Sequence, residues 1–353
     1  MKSVFVTGAT GFIGGHVVRN FAQRGYRVTC AVRSNTVPDN LKSFANKFVR
    51  ADVTDLSSLT TAISGHDSVI NLAGLTRAIK KEFLYDVNST GASNVAKACA
   101  AQAKPPVLVH VSSLAAAGPC INHAPRKETD QNLPVSNYGK SKLLGERAIA
   151  SFADRVPTTI LRPGIVVGEG DTVGFEFFKG VALANLIVIP SFRNRIFSII
   201  HADDLAAAIV LTAQQGERVN GENGVGFYGV AGPEQWTLAR FGKEIGKVME
   251  KKFVIPFYNA NTTIWIAGLL YELLAKIRKK TLPMNLDKAR EATAGSWHID
   301  STKLMKLGFT AQPLPKRLDQ TYRWYLDNGF LKRTGAGKKT DQYSSNLGQL
   351  KSR

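Results

Sequence analysis

The first fourteen residues constrain this chain more than any other stretch. An apolar run, Ser3–Thr7, leads without a break into Thr7-Gly8-Ala9-Thr10-Gly11-Phe12-Ile13-Gly14, and an amphipathic helical pattern comes directly after. Glycines at 8, 11 and 14 divide the work of a tight strand-to-helix turn. One permits the bend, one lets backbone N–H groups approach a ligand, and one lets helix and strand pack closely. The free N–H groups and positive dipole end of the helix starting near Phe12 then form a seat for a pyrophosphate. Scattered among 31 glycines, three would mean little. Their place between a clean strand and a helix gives them weight.

Beyond this turn the chain takes on the rhythm of a parallel sheet. Apolar, β-rich runs at Ser3–Thr7, Arg27–Val32, Lys47–Ala51, Ser68–Leu72, Val107–Ser112 and Thr158–Leu161 alternate with helical patterns near Ile13–Arg24, Leu56–Ile63, Val87–Ala101 and Asn137–Phe152. Several runs are continuously apolar, as strands covered on both faces should be. The expected class is α/β, a Rossmann-type doubly wound parallel sheet with a smaller, mainly helical C-terminal substrate region. Residues 1–165 would form the dinucleotide-binding domain, rejoined by about 195–230, with 166–194 and 231–331 as the substrate region. After Pro163, the spacing predicts a helix over Phe175–Leu186, strands at Ile196–Ile200 and Phe227–Val230, and helix caps at Asp203 or Asp204 and at Thr237. The tail 332–353, rich in Gly, Ser and Lys, reads as disordered.

Tyr138-Gly139-Lys140-Ser141-Lys142 places a tyrosine and a lysine four apart, on one face of a helix. A phenol titrates near ~10 and is a poor base at neutral pH. A neighbouring ammonium would stabilise the phenolate and bring it toward the working range, so that the tyrosine could exchange a proton with a hydroxyl or carbonyl oxygen. The spacing alone is cheap in a lysine-rich chain with nine tyrosines. Its position after the fifth strand, which ends Val111-Ser112-Ser113, carries the weight.

With its glycines spaced GxxGxxG at the N-terminus and this Tyr–Lys pair, the sequence resembles the extended short-chain dehydrogenases/reductases, the NAD-dependent epimerase/dehydratase family. The resemblance runs from Lys2 to about Phe330. It implies Tyr138, Lys142 and Ser113 as catalytic residues, with Ser112 the alternative to Ser113. It also implies cofactor contacts at Gly8, Thr10, Gly11, Phe12, Ile13 and Gly14, at Asp52 and Val53 by the adenine edge, and at Asn71, Ala73 and Gly74 beneath the cofactor. Pro163, Gly164 and Ile165 would meet the nicotinamide amide, and Tyr138 and Lys142 the nicotinamide ribose. After the second strand, where an acidic residue would select NAD, stand Arg33 and Ser34, which suit a 2′-phosphate. NADP(H) is therefore favoured over NAD(H).

Leu161–Gly168 followed by Gly170-Asp171 is closest in feel to dihydroflavonol reductases and 3β-hydroxysteroid dehydrogenases. That resemblance implies a ketone and a secondary alcohol interconverted on a hydrophobic small molecule. A nucleotide-sugar epimerase or dehydratase is the alternative enzyme, and a non-catalytic nucleotide-binding regulator the alternative of another class. The aromatic and aliphatic segments Phe175–Ile189 and Phe253–Tyr258 suit an apolar substrate pocket and equally a plain core. Ile264–Ile277 has helical spacing and is followed by Arg278-Lys279-Lys280. It reads first as a core helix, with a lid or a peripheral membrane contact through 264–280 as alternatives. Three cysteines without ligand spacing and an apolar strand right after Met1-Lys2 fit a cytoplasmic protein, membrane-associated if the helix at 264–280 lies on a bilayer. No metal-binding spacing and no nucleic-acid module is visible, so the net charge of +19 is left without a partner. Family habit implies a homodimer through Val87–Ala101 and Asn137–Phe152.

Overall fold

A parallel strand covered by helices on both faces sends its side chains alternately into two cores. That alternation organises the protein, whose computed structural model describes residues 1–34, 37–221 and 223–332. Strands β1 (Ser3–Thr7), β2 (Arg27–Val32), β3 (Lys47–Arg50), β4 (Ser68–Asn71), β5 (Val107–Val111) and β6 (Thr158–Pro163) come first. They are followed by β7 (Ile165–Val167), β8 (Leu186–Ile189), β9 (Ile199–His201), β10 (Phe227–Val230) and β11 (Ile255–Tyr258). Seven form one sheet in the order β3-β2-β1-β4-β5-β6-β10, with every neighbouring pair parallel. The direction of winding reverses between β1 and β4, where Val4 lies opposite Ser68 and Thr7 opposite Asn71. Ligand crevices in such sheets open at the carboxyl ends of the strands beside this reversal.

Val4, Val6, Ile70, Val109 and Leu161 pack into one core with the helices Phe12–Gln23 and Ala202–Gln215. The intervening Phe5, Val69, Leu108 and Ile160 pack into the other, beneath the helices Leu56–Ile63, Gly91–Ala100 and Asn137–Ala150. A further core gathers Phe175, Phe178, Trp236, Phe241, Leu318 and Tyr325 from the C-terminal half. The sheet is the Rossmann-type arrangement that the strand pattern predicts.

Several local expectations need correction. The helix expected over Phe175–Leu186 stops at Ala184, because Asn185 turns left-handed at φ 49°. Leu186–Ile189 is then free to pair with Ile255–Tyr258 as a small parallel ribbon. Apolar runs this short carry no periodicity that separates helix from strand. Asp203 and Asp204 do not cap their helix. His201 is the cap, its ring Nδ1 accepting from the Asp203 N–H at 3.1 Å, and both aspartates lie inside the first turn. Thr237 does cap, accepting from the Arg240 N–H at 3.1 Å. The pattern at Val87–Ala101 opens with a π turn over Asp86–Thr90 before the α-helix Gly91–Ala100. The core reading of Ile264–Ile277 is overturned. The helix Asn261–Arg278 buries only Gly268 and Ala275, while Ile266 and Leu270 are each 59% exposed and Ile277 79%. No helix among the described residues is long and apolar enough to cross a membrane. From residue 333 on, the basic tail lies outside the described residues.

One buried ion pair joins the sheet to the helix Asn137–Ala150. Arg162 on β6 donates from Nε to Glu146 Oε1 at 2.9 Å and from Nη2 to Oε2 at 2.5 Å. Both residues are essentially inaccessible. A pair with this bidentate geometry offsets its own desolvation, but a surviving single partner is left charged and unmatched. Arg162→Met or Glu146→Gln alone should therefore cost about 3–5 kcal/mol in urea unfolding. The double variant should recover a large part of that loss.

Candidate active site

The glycine turn is shaped by the absence of side chains. Gly8 has φ +66°, and a Cβ there would lie 2.8 Å from backbone atoms of Leu72 and Ala73 at the end of β4. A Cβ on Gly14 would lie 2.3 Å from the Gly8 carbonyl oxygen, so helix and turn touch backbone to backbone. Gly11 precedes the helix Phe12–Gln23, and no side chain caps that end. Its first N–H groups are thus the kind that hold a phosphate. Thr10, Phe12 and Ile13 flank the turn, half-buried, and Arg33 and Ser34 stand exposed just past β2. Arg33 makes no hydrogen bond or ion pair with the described residues. The donor set and the cradle fit a dinucleotide.

The neighbouring strand ends form a polar file. Thr7 donates to Asn71 Oδ1 at 2.7 Å, Asn71 Nδ2 lies 3.1 Å from His110 Nδ1, and the Ala73 N–H reaches Thr7 Oγ1 at 3.3 Å. His110 is fully buried on β5, and burial together with the Lys142 charge holds its pKa well below the ordinary value. Asp52 accepts from the N–H and hydroxyl of Thr54, and Val53 packs against Gly91. Gly164 has no room for a side chain, its Cβ position lying 2.4 Å from the Ser198 carbonyl oxygen, and Ile165 donates to that same oxygen. Pro163 closes β6.

Tyr138 and Lys142 sit one turn apart on the helix Asn137–Ala150, beside the end of β5. The Ser113 hydroxyl acts on the Tyr138 phenol, opposing the rise that burial causes. Ser113 also caps the short helix Leu114–Ala117, accepting from the Ala115 N–H at 3.1 Å. Ser112 is buried, and its hydroxyl has no partner among the described residues. Lys142 is buried and donates to the Val111 carbonyl at 2.8 Å.

The electrostatics differ from the sequence expectation. Burial pushes the Tyr138 phenol up to about 12, against a small opposing effect from Ser113 and with Glu291 adding to the rise. Burial pushes the Lys142 ammonium down to about 8, partly offset by Glu146 one turn further on. Lys142 donates to the Val111 carbonyl, and burial is the largest influence on the phenol. Tyr138 accordingly holds its proton at neutral pH.

Sequence reasoning missed what aims this helix. Asp287 accepts from the Asn137 N–H at 2.7 Å and from the Tyr138 N–H at 3.0 Å, and Glu291 accepts from Ser136 Oγ at 2.6 Å. Both carboxylates lie on one face of the helix Leu286–Thr293 and meet the positive end of the catalytic helix. Lys288, from the same helix, lies 4.6 Å from the Tyr138 ring centroid and pairs with Glu291 at 2.7 Å. Nothing in the spacing of a segment about 150 residues away announces such a cap. Asn88 was missed too. From the π turn it exchanges hydrogen bonds with the Leu75 backbone and donates to Ser141 at 2.9 Å, tying the turn after Gly74 to the catalytic helix. Glu146, four residues after Lys142, was the one partner legible from spacing.

Beside Asn137 lies a cavity of about 270 Å³ bordered by Arg77, Leu84, Ala275, Met284, Asp287 and Arg290. The two apolar segments expected at the substrate do not border it. Phe175 and Phe178 are buried in the C-terminal core, and Phe253, Ile255 and Phe257 face solvent. Near the glycine turn, His16, Glu169 and Asp203 bring possible metal-ligand atoms within 4.8 Å of one another. Arg19 binds the Asp203 carboxylate as well, and Arg317 lies 3.6 Å from it, so arginines already answer its charge.

A glycine turn at the winding reversal, with a Tyr–Lys pair and a serine at the adjoining strand end, defines a dinucleotide-dependent oxidoreductase fold. Residues 4–225 match the model of the NAD dependent epimerase/dehydratase family. The chain belongs to that family and is an NAD(P)-dependent enzyme of the short-chain dehydrogenase/reductase type. It is 34% identical over 207 residues to a protein named ceramide reductase from Caulobacter vibrioides, a match spanning 59% of each chain. It is 25% identical over 349 residues to a putative dihydroflavonol 4-reductase from Synechocystis, spanning 93% of this chain and 96% of that one. Its fold matches MoeE5, solved with UDP-glucuronic acid and NAD, at a TM-score of 0.70 and 21% identity over 91% of this chain and 98% of the other.

Glu291→Gln should lower the Tyr138 pKa and shift the alkaline limb of the kcat/KM profile to lower pH, whereas a purely structural role would move only stability. Lys142→Met should stabilise the ligand-free protein by up to about 3 kcal/mol below pH ~8. The native state holds Lys142 with a depressed pKa, so the unfolded chain binds its proton more tightly. Stability of the parent therefore rises with pH between about 8 and 10.5. The advantage of the variant should fade over that window in urea melts.

Proposed function

We propose that this enzyme is an NADP(H)-dependent reductase that interconverts a ketone and a secondary alcohol on an apolar small molecule. The observation that carries the reading is the placement of Tyr138 and Lys142 one turn apart on a helix tied to the end of β5, where Ser113 stands, beside the glycine turn. Gly8–Gly14 and the strand ends would hold a reduced dinucleotide, which would supply the hydride to the carbonyl carbon. Ser113 hydrogen-bonds the substrate carbonyl oxygen, and Tyr138 gives that oxygen its proton as negative charge develops there. A phenol pushed up to about 12 is a donor at neutral pH, which favours the reductive direction. Lys142 lies one turn from Tyr138 and takes the ribose side of the cofactor.

Arg33, exposed and unpaired past β2 with Ser34 beside it, supports NADP(H) over NAD(H). An apolar substrate is supported by the names of the two reductase relatives, one for a ceramide and one for a dihydroflavonol. Fluorescence titration of the purified protein with NADPH and NADH, after assaying for cofactor carried through purification, tests this reading. Tighter binding of NADPH, lost in Arg33→Ala, is the expected result. Retained NAD(H) with no net turnover would replace it with an epimerase or dehydratase. Tyr138→Phe should reduce turnover by about 10²–10⁴-fold in a steady-state ketone-reduction assay. A binding protein of regulatory function would keep its activity in that variant.

A further inference from the structure

The helix Asn261–Arg278 is unusual for a surface helix, because its apolar side is the outer one. Gly268 and Ala275 form the inner face, and a Cβ on Gly268 would already lie 3.1 Å from Ala289 Cβ and the Asn285 carbonyl oxygen. On the opposite side Trp265, Ile266, Leu269, Leu270, Leu273 and Ile277 are all exposed, by 38% to 79%. At 3.6 residues per turn they cover a continuous arc of about 140°. Glu272, the helix's one acid, pairs with Lys276 at 3.3 Å. Arg278, Lys279 and Lys280 follow directly and are exposed.

We infer that this helix is a docking surface for an anionic lipid bilayer, lying in the plane of the interface with its outer arc among the acyl chains. Its composition fits that occupant on three counts. An apolar arc of this width buries little into water but much into the headgroup–acyl boundary. Trp265, at the edge of the arc, is a ring type that settles at that boundary. The basic cluster at the helix end, on a chain of net charge +19, is drawn to anionic headgroups. A second copy of the chain across a twofold axis would set like charges against each other.

The docked face is two short steps from the chemistry. The inner face at Gly268 packs on the helix Leu286–Thr293, whose Asp287 holds the Asn137 and Tyr138 N–H groups. The cavity of about 270 Å³ beside Asn137 is bordered by Ala275 from the same inner face. The cavity and the docked arc thus lie on opposite faces of one helix.

The test is sedimentation of the full chain with phosphatidylcholine vesicles, with and without phosphatidylglycerol, alongside its solution mass by light scattering. Leu270→Glu with Leu273→Glu changes two exposed positions, and unchanged NADPH binding in that variant shows that it is folded. The parent should pellet with the phosphatidylglycerol vesicles and be released by salt, and the variant should bind more than about tenfold more weakly. No pelleting by the parent at low salt overturns the proposal, as does equal pelleting by the variant. A parent dimer that the variant dissociates also overturns it, since the arc is then an interface between copies. Vesicle binding by a parent that turns over no ketone would support the docking and sink the reductase reading instead.

Discussion

Backbone meets backbone at one point in this protein, and most of the rest is arranged around it. The carbonyl of Gly8 leaves no space for a side chain at Gly14, and Gly8 itself leaves none against Leu72 and Ala73. That double contact presses the first helix against the turn and the turn against β4. It brings the uncapped helix end to the place where the strand order reverses. Thr7, Asn71 and His110 then align across three strand ends, and the reacting side chains sit on the next element along. A methyl group in either glycine would separate layers that the whole cleft needs in contact.

The helix Asn137–Ala150 is held by charge at its N-terminus and along its buried side. Asp287 and Glu291 meet its N-terminus, and Arg162 grips Glu146 two turns beyond Tyr138. Between these anchors Tyr138 and Lys142 are pushed in opposite directions by the same burial, the phenol up and the ammonium down. The low dielectric that will favour a short, strong interaction with substrate also keeps each group neutral or satisfied until then.

What was legible in the sequence is what repeats or sits close in the chain. The strands of the sheet follow from continuous apolar runs. Gly8, Gly11 and Gly14 show their role by position, as do Tyr138 and Lys142 by theirs. Legibility fails where the reason is tertiary. Leu186–Ile189 and Ile255–Tyr258 are strands because each has the other as partner. Asp203 and Asp204 have the composition of a cap, but His201 occupies the capping position, and they turn to His16, Arg19 and Arg317. The apolar helix at 261–278 has the same residue pattern whether it faces a core or the outside, and only its packing on Ala289 distinguishes them. No local rule locates Asp287 at the tyrosine.

The position of the helix Leu286–Thr293 has a consequence for how this protein can be divided. The family model ends at residue 225, and all of the cofactor cradle lies before that point. A fragment cut there would keep Ser113, Tyr138 and Lys142. It would nevertheless leave the Asn137 and Tyr138 N–H groups without their carboxylate and the serine cap without Glu291. The phenol's titration is thus partly a property of the last quarter of the chain, through Glu291. A relative that diverges in that quarter would change more than what it accepts as substrate. It would also reset the proton affinity of its tyrosine.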